Sequence, residues 1–206
     1  MAESIKYEFE NKYWHLGKEV MGIDEAGRGP LCGPLLVCGV SFPATYKNDE
    51  IDDSKKLTAT KRKKLFLEII KAARVYKIVI VPVGDIDKYN IYRATQRAMQ
   101  KIADDFSGMV LTDCMPLENC AHESLVKGDC RSVSIAAASI MAKVIRDHIM
   151  QAYDLLYPDY GFARHKGYPT PEHLDNLKKY GILPIYRQSY KLVKDLQPRD
   201  LFNYQD

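Results

Sequence analysis

Residues 20–34 read Val-Met-Gly-Ile-Asp-Glu-Ala-Gly-Arg-Gly-Pro-Leu-Cys-Gly-Pro. Val20–Asp24 is an apolar run closing on an acid, the pattern of a strand. Gly27-Arg28-Gly29-Pro30 and Gly33-Pro34 are turn formers, and Leu35–Phe42 resumes as a second strand. Asp24 and Glu25 thus stand where a strand runs into a glycine-rich turn. Neighbours on a regular strand point to opposite faces, so the pair can share a site only if the strand breaks there. Gly27 and Gly29 are expected to break it; the bland alternative is a surface turn. Gly27 to Gly33 also spells GxGxxxG, one residue off the dinucleotide fingerprint. Pro30 and Pro34 obstruct the helix that fingerprint needs, which disfavours a nucleotide loop.

Working outward, Thr58 is positioned to cap a helix whose inner face is Leu65, Phe66, Ile69, Ile70 and Ala73. Val75–Val83 is a β-branched run and reads as a strand. Asn90 caps a further helix with Ile91, Ala94, Ala98 and Ile102 inward, and Met109–Asp113 is a short strand ending in an acid. Ser132 to about Tyr153 is a long Ala-rich helix burying Ile135, Ala138, Ala142, Ile145 and Ile149, with Ser139, Lys143 and Arg146 on another face. After Tyr157-Pro158 the chain reads as a loop until Pro171 opens a helix ending near Gly181. The order predicts an α/β domain with a mixed central β-sheet flanked by helices, its last ~40 residues forming a helical extension.

A chain of 206 residues suits one domain, here with a core over about 18–155 and an extension over about 156–206. Hydrophobic residues make up 46%, enough for a core and too many for a disordered chain. No apolar run approaches the ~20 residues of a membrane span. The N-terminus alternates charges and aromatics without an apolar block, so a cytoplasmic protein is expected; no membrane partner is expected, and the chain is expected to be monomeric. Five cysteines with no CxxC pair signal neither a disulfide framework nor zinc. The net charge is only +3, but Lys55, Lys56, Lys61, Arg62, Lys63 and Lys64 are dense, as are Arg164, His165 and Lys166. Such runs are either solvated faces or a patch over a phosphate backbone.

Asp113 closes a strand, and strand C-termini in α/β sheets collect ligand sites. Asp129 precedes the long helix, where an acid also suits the helix dipole. Asp147, four residues after Lys143, reads as a surface ion pair. Carboxylates delivered from strand ends and a helix approach are hard oxygen ligands of the kind that suit Mg²⁺ or Mn²⁺. Two such ions can activate a water and stabilise the leaving oxygen of a phosphodiester.

Met21-Gly-Ile-Asp-Glu-Ala-Gly-Arg-Gly-Pro-Leu-Cys-Gly-Pro34 resembles the opening motif of the ribonuclease HII family. So do Asp53-Ser-Lys-Lys-Leu57 and Asn90-Ile-Tyr-Arg-Ala-Thr95. Lys127-Gly-Asp129, followed by Ser134-Ile-Ala-Ala-Ala-Ser-Ile-Met-Ala-Lys-Val-Ile-Arg-Asp147, is similar to its central helix, and Tyr157-Pro-Asp-Tyr-Gly-Phe leads to His165-Lys-Gly-Tyr168. The resemblance implies a ribonuclease H-like fold with a C-terminal helical extension. It implies Asp24, Glu25, Asp113 and Asp129 as catalytic and metal-binding carboxylates, with Mn²⁺ or Mg²⁺ as cofactor. Gly27, Arg28 and Gly29 would meet the ribonucleotide, Tyr168 the sugar following it, and Lys55, Lys56, Ser139 and Lys143 the phosphates. Its implied partners are RNA/DNA hybrids and duplex DNA with embedded ribonucleotides, cut 5′ to the ribonucleotide.

Two positions depart from the family pattern: Thr112-Asp113-Cys114 stands for Val-Asp-Gly, and Cys32 for a small Ala. A Cβ after Asp113 restricts the backbone that glycine would free. The sister family, ribonuclease HIII, usually adds an N-terminal binding domain, which the short stretch before the first strand disfavours. A catalytically silent nucleic-acid binder on the same fold is the rival; it would gain nothing from four acids facing phosphates.

Overall fold

In the computed structural model, which describes residues 5–196, five strands form one mixed sheet. They are β1 (Val20–Ala26), β2 (Leu35–Ser41), β3 (Val75–Val81), β4 (Met109–Asp113) and β5 (His122–Leu125), in the spatial order β3-β2-β1-β4-β5. The β3-β2-β1 part is an antiparallel meander, whereas β4 and β5 run parallel to β1. The longer helices are, in chain order, α1 (Glu8–Trp14), α2 (Ala59–Ala72), α3 (Val83–Tyr89), α4 (Ile91–Asp104), α5 (Val133–Leu156), α6 (Phe162–His165), α7 (Pro171–Tyr180) and α8 (Lys191–Lys194).

The two-residue period of the strands sorts their side chains into two cores. Leu36, Cys38 and Val40 face α2 and α5, packing on Leu65, Ile69 and the Ala-rich face of α5. Met21, Ile23, Leu35 and Val37 face α4, where Ala94, Ala98, Met99 and Ile102 cover them. A sheet covered on both faces explains why β2 is buried at every position. The first turn of α5 presses directly on β1: a Cβ at Gly22 would stand 2.1 Å from the Ile135 nitrogen, so only glycine fits.

Several expectations need correction. The third strand stops at Val81, because Pro82 has no N–H to donate and instead precedes α3, a helix the β-branched pattern concealed. Ile145 and Ile149 are half-buried at the core margin rather than inside it. Arg146, expected on a separate face with Lys143, is fully buried at 1% exposure. The stretch after Tyr157, read as loop, contains two short helical turns, Pro158–Tyr160 and α6. Helix α1 and strand β5 were not anticipated. The caps foreseen at Thr58 and Asn90 accept from the amides of Lys61 and Arg93 at 3.2 and 3.0 Å.

The extension after α5 contains the expected helix from Pro171 and ends, among the described residues, in α8. It folds back on the glycine loop. Leu31, Cys32 and Met150 share a core with Tyr160, Phe162, Leu177, Tyr186 and Val193. Backbone bonds fasten the contact: Leu31 N–H to Gly167 O, Gly33 N–H to Ile185 O, and Arg187 N–H to Leu31 O, all within 2.9 Å.

Candidate active site

The parallel pairing of β1 with β4 ends at Ile23 opposite Thr112. The next residue on each strand is Asp24 and Asp113, so register alone sets two acids side by side where the sheet stops. Both face α5, as does Cys38, the partner of Asp24 on β2. Glu25 points to the other face, as alternation requires. The expected break does not occur, since β1 continues to pair with β2 through Ala26. β4 ends at Asp113, so its edge no longer walls off Glu25, and Glu25 reaches the same cleft from the opposite side. The GxGxxxG segment leads into antiparallel β2 rather than a helix, which removes the nucleotide-loop reading.

Asp113 accepts from the Gly128 amide at 2.9 Å, tying the third acid to the turn that carries the fourth. That turn, Gly128–Cys130, opens α5, and Asp129 within it is 7% exposed. A second tether comes from α1, where Glu10 is fully buried and accepts from Ser132 Oγ at 2.5 Å and Ser134 N–H at 2.9 Å. Glu8 pairs with Arg131 at 3.0 Å on the same side.

These acids are close enough to disturb one another. Burial pushes the Asp24 carboxyl well above the usual range, and the charges of Glu25, Asp113 and Asp129 push it further. Burial also raises Glu25, against the pull of Arg28 at 3.5 Å. Burial raises Asp129 too, with Asp53 and Asp113 adding repulsion and Lys55, at 4.0 Å, opposing it. Asp24 forms no ion pair among the described residues.

Among the described residues, no three His, Cys, Asp or Glu side chains converge tightly enough to form a closed ligand cage. The donor chemistry nevertheless fits a divalent cation. All four groups offer hard carboxylate oxygens, and their buried mutual repulsion is a cost that a cation offsets.

A cleft of about 200 Å³ gathers most of the residues expected at the site. Asp24, Glu25, Gly27, Arg28, Gly29, Lys55, Asp113, Ser139, Lys143 and Tyr168 line it, while Asp129 lies just behind Lys55. Lys56 lies apart, engaged with Asp52 at 3.4 Å and the Cys130 thiol at 3.5 Å. Ser139 bonds Ser54 Oγ at 2.8 Å, and Lys143 pairs with Asp147 at 2.7 Å, as its spacing predicts. Tyr168 is 44% exposed, not a core tyrosine, and its ring lies where a Cβ on Gly29 would touch it at 3.4 Å.

Three lining or supporting residues escaped the sequence reading: Ser54, Arg146 and Arg187. Gly27 has φ 104°, and a Cβ there would stand 2.2 Å from Arg146 Nε, so glycine serves both the turn and the guanidinium beneath it. Arg146 donates to the carbonyls of Pro34 at 3.0 Å, Cys32 at 3.1 Å and Lys166 at 2.9 Å. Arg187 donates to those of Gly27 at 2.6 Å, Arg28 at 3.0 Å and Gly33 at 3.0 Å. Two buried guanidiniums therefore hold the glycine loop from below. Arg146 sits one turn from Lys143 on a helix already suspected, a usable signal; Arg187 lies in a loop without any pattern.

The sequence model of ribonuclease HII matches residues 21–193. The chain belongs to the ribonuclease HII family. A ribonuclease HII of Francisella tularensis subsp. tularensis (strain SCHU S4 / Schu 4) is 50% identical over 182 residues, 86% of this chain and 97% of that protein. The crystal structure of ribonuclease H2 from Pyrococcus horikoshii OT3 aligns with a TM-score of 0.73 at 25% identity, over 86% of this chain and 96% of that one. The ribonuclease HII in the PCNA complex from Archaeoglobus fulgidus gives 0.73 at 26%, over 88% and 98%. Bst-RNase HIII, crystallised with Mn²⁺, gives 0.65 at 14% over 87% of this chain and 69% of that one, a likeness of fold. The protein is thus a nuclease of the ribonuclease H type, and its mixed sheet with flanking helices is that fold. The matched region of the ribonuclease HII family begins after α1, so the Glu10 tether lies outside it. Among the described residues no helix is long and apolar enough to cross a membrane.

Proposed function

We propose that this chain hydrolyses the phosphodiester 5′ to a ribonucleotide, in RNA/DNA hybrids and in duplex DNA with embedded ribonucleotides, leaving a 3′-hydroxyl and a 5′-phosphate. The observation that carries this reading is one cleft lined by Asp24, Glu25 and Asp113 together with the Gly27-Arg28-Gly29 loop and Tyr168. Acids for chemistry and a close-approach backbone for a sugar share one space.

Asp24 and Asp113 would hold Mg²⁺ or Mn²⁺ most directly, with Glu25 and Asp129 completing the set. Two such ions, when bound, supply an activated water and charge stabilisation at the leaving oxygen. The protein's own task is placement. Gly29 lets the backbone approach the ribose, and Tyr168 offers a flat ring to the adjoining sugar. The carbonyls of Gly27 and Arg28 already accept from Arg187, so the loop's contribution to a 2′-hydroxyl is expected chiefly from its amides. Arg28, Lys55, Ser139 and Lys143 face the same cleft and are the proposed phosphate contacts; Lys56 contributes from outside it, through the Asp52 and Cys130 contacts that fix the Lys55 segment. We read the protein as a cytoplasmic monomer.

The test is a DNA duplex with one embedded ribonucleotide beside its all-DNA counterpart. Metal-stripped protein should cut neither; with Mg²⁺ or Mn²⁺ added it should cut the first alone, on the 5′ side. Tyr168→Ala should lose most turnover, and Tyr168→Phe separates ring from hydroxyl. Equal cutting of both duplexes, or full activity in excess chelator, would overturn the reading.

A further inference from the structure

A second cleft, of about 420 Å³, opens between α2, α5 and the turn after α6. Arg62, Lys63, Lys143, Arg164 and Lys166 line it, against one carboxylate, Asp147. The whole chain nets only +3, whereas this cleft sets five cationic side chains against one carboxylate. Lys143 lines both this cleft and the catalytic one, so the two adjoin at that side chain.

Part of this charge has work inside the fold. Arg62 donates to the Ser54 carbonyl at 2.8 Å, Arg164 pairs with Glu172, and Lys143 with Asp147. The ammonium groups of Lys63 and Lys166 have no such partner among the described residues. Burial lowers the Lys166 ammonium, and Lys143 and Lys63 repel it against the pull of Asp147. Lys166 also carries a left-handed backbone, φ 53°, pinned by its carbonyl to Arg146 at 2.9 Å and by its N–H to Phe162 O. This is the C-cap of α6, where a left-handed residue commonly ends a helix, at a cost of ~1–2 kcal/mol for a residue with a Cβ. No hydrogen bond or ion pair among the described residues engages the Lys63 and Lys166 ammonium groups, which repel each other; an anion between them would offset that repulsion.

A small anion needs one or two donors converging on a point. Here the cations extend from α2 across α5 to the turn after α6, in a groove that adjoins the catalytic cleft at Lys143. That layout suits a run of phosphates.

We propose that this groove is a second phosphate track, in which Lys63 and Lys166 hold the backbone of one flank of the duplex beyond the cut. The proposal rests on the reading of a nucleic-acid substrate given above. Binding of an uncleaved all-DNA duplex in chelator, followed by fluorescence anisotropy across a salt series, tests it separately from catalysis. Lys63→Ala and Lys166→Gly should each lower the log–log salt slope by about 0.9. Glycine at 166 also relieves the positive φ, so its melting temperature should hold or rise while binding weakens. Shortening the duplex on one side only should erase the difference between wild type and variants, and the variants' KM for the ribonucleotide substrate should exceed the wild-type value only when that flank is present. An unchanged slope, or a difference indifferent to which flank is shortened, would overturn the proposal. So would poly-glutamate displacing the duplex as well as DNA of equal charge does, since the groove would then be a docking face for acidic protein. Loss of ribonucleotide cleavage with the slope effects intact would instead sink the activity assigned above.

Discussion

Cys114→Gly tests the backbone on which the third acid stands. Cys114 follows Asp113 directly and has φ 51°, the left-handed region that glycine enters freely. For a residue with a Cβ this conformation costs ~1–2 kcal/mol. The substitution keeps the amide bond to Leu125 O at 2.9 Å and loses a weak thiol contact to the same oxygen at 3.5 Å. Because Cys114 is exposed, no packing is lost. Against the gain stands the added freedom of the unfolded chain, ~0.4–1 kcal/mol for a glycine. The balance is a stabilisation of about 0.5–1 kcal/mol, or roughly 1–4 °C in melting temperature for a chain of this size. Urea unfolding should show a higher midpoint at unchanged slope, and Cys114→Ala, which keeps the Cβ, should show no such gain. Turnover should be retained, since Asp113 stays on the same strand end. A lower midpoint for the glycine variant, with alanine neutral, would refute the reasoning.

The buried carboxylates make the metal-free protein lose stability as pH rises above the ordinary carboxylate range. The native state keeps a proton on Asp24 that the unfolded chain releases near pH ~4, so unfolding free energy should fall as pH rises from there. Asp24→Asn should abolish cleavage yet flatten that decline in chelator; an equally steep decline in the variant would show the repulsion to be unimportant. Acid acts on the other lobe: His173, buried and bonded to Tyr168 O and Tyr186 OH, has its pKa lowered to about 4. Its contribution should be intact above pH ~6.5 and lost as pH falls toward 4, on the order of 3 kcal/mol. Unfolding measured between pH 7 and 4 should lose most of this dependence in His173→Asn. Removing Glu10 strips two buried donors of their acceptor, so Glu10→Ala should cost about 2–4 kcal/mol and reduce turnover through the Asp129 turn. Glu10→Gln, which keeps an acceptor, should recover most of both; equal damage from the two would leave the tether without support.

The legible features were those written in local pattern. Strands β1, β2 and β4 are short apolar runs bounded by turn formers, and α2, α4 and α5 carry both caps and periodic faces. The convergence of Asp24 with Asp113 was legible only as two acids at strand ends; which strands pair is a tertiary fact. β5, His-Glu-Ser-Leu, has no β-branched residue and exists because β4 offers it an edge. Helix α1 hid because its buried residues are Glu10, Asn11 and Tyr13, two of which any polarity count places outside.

The two guanidiniums under the glycine loop matter more than their sequence suggests. A loop rich in glycine is chosen for close approach, and the freedom that permits approach also lets the loop wander. Fixing it needs donors aimed at its carbonyls, from residues long enough to reach from a neighbouring element. Arg146 reaches from α5, the helix that also presents Ser139 and Lys143, and Arg187 from the extension beside Tyr190. The loop is therefore positioned jointly by the central helix and the extension, and Tyr168 arrives on the same extension with its carbonyl held by His173. An extension read from sequence as an appendage is, in the folded chain, one wall of the catalytic cleft.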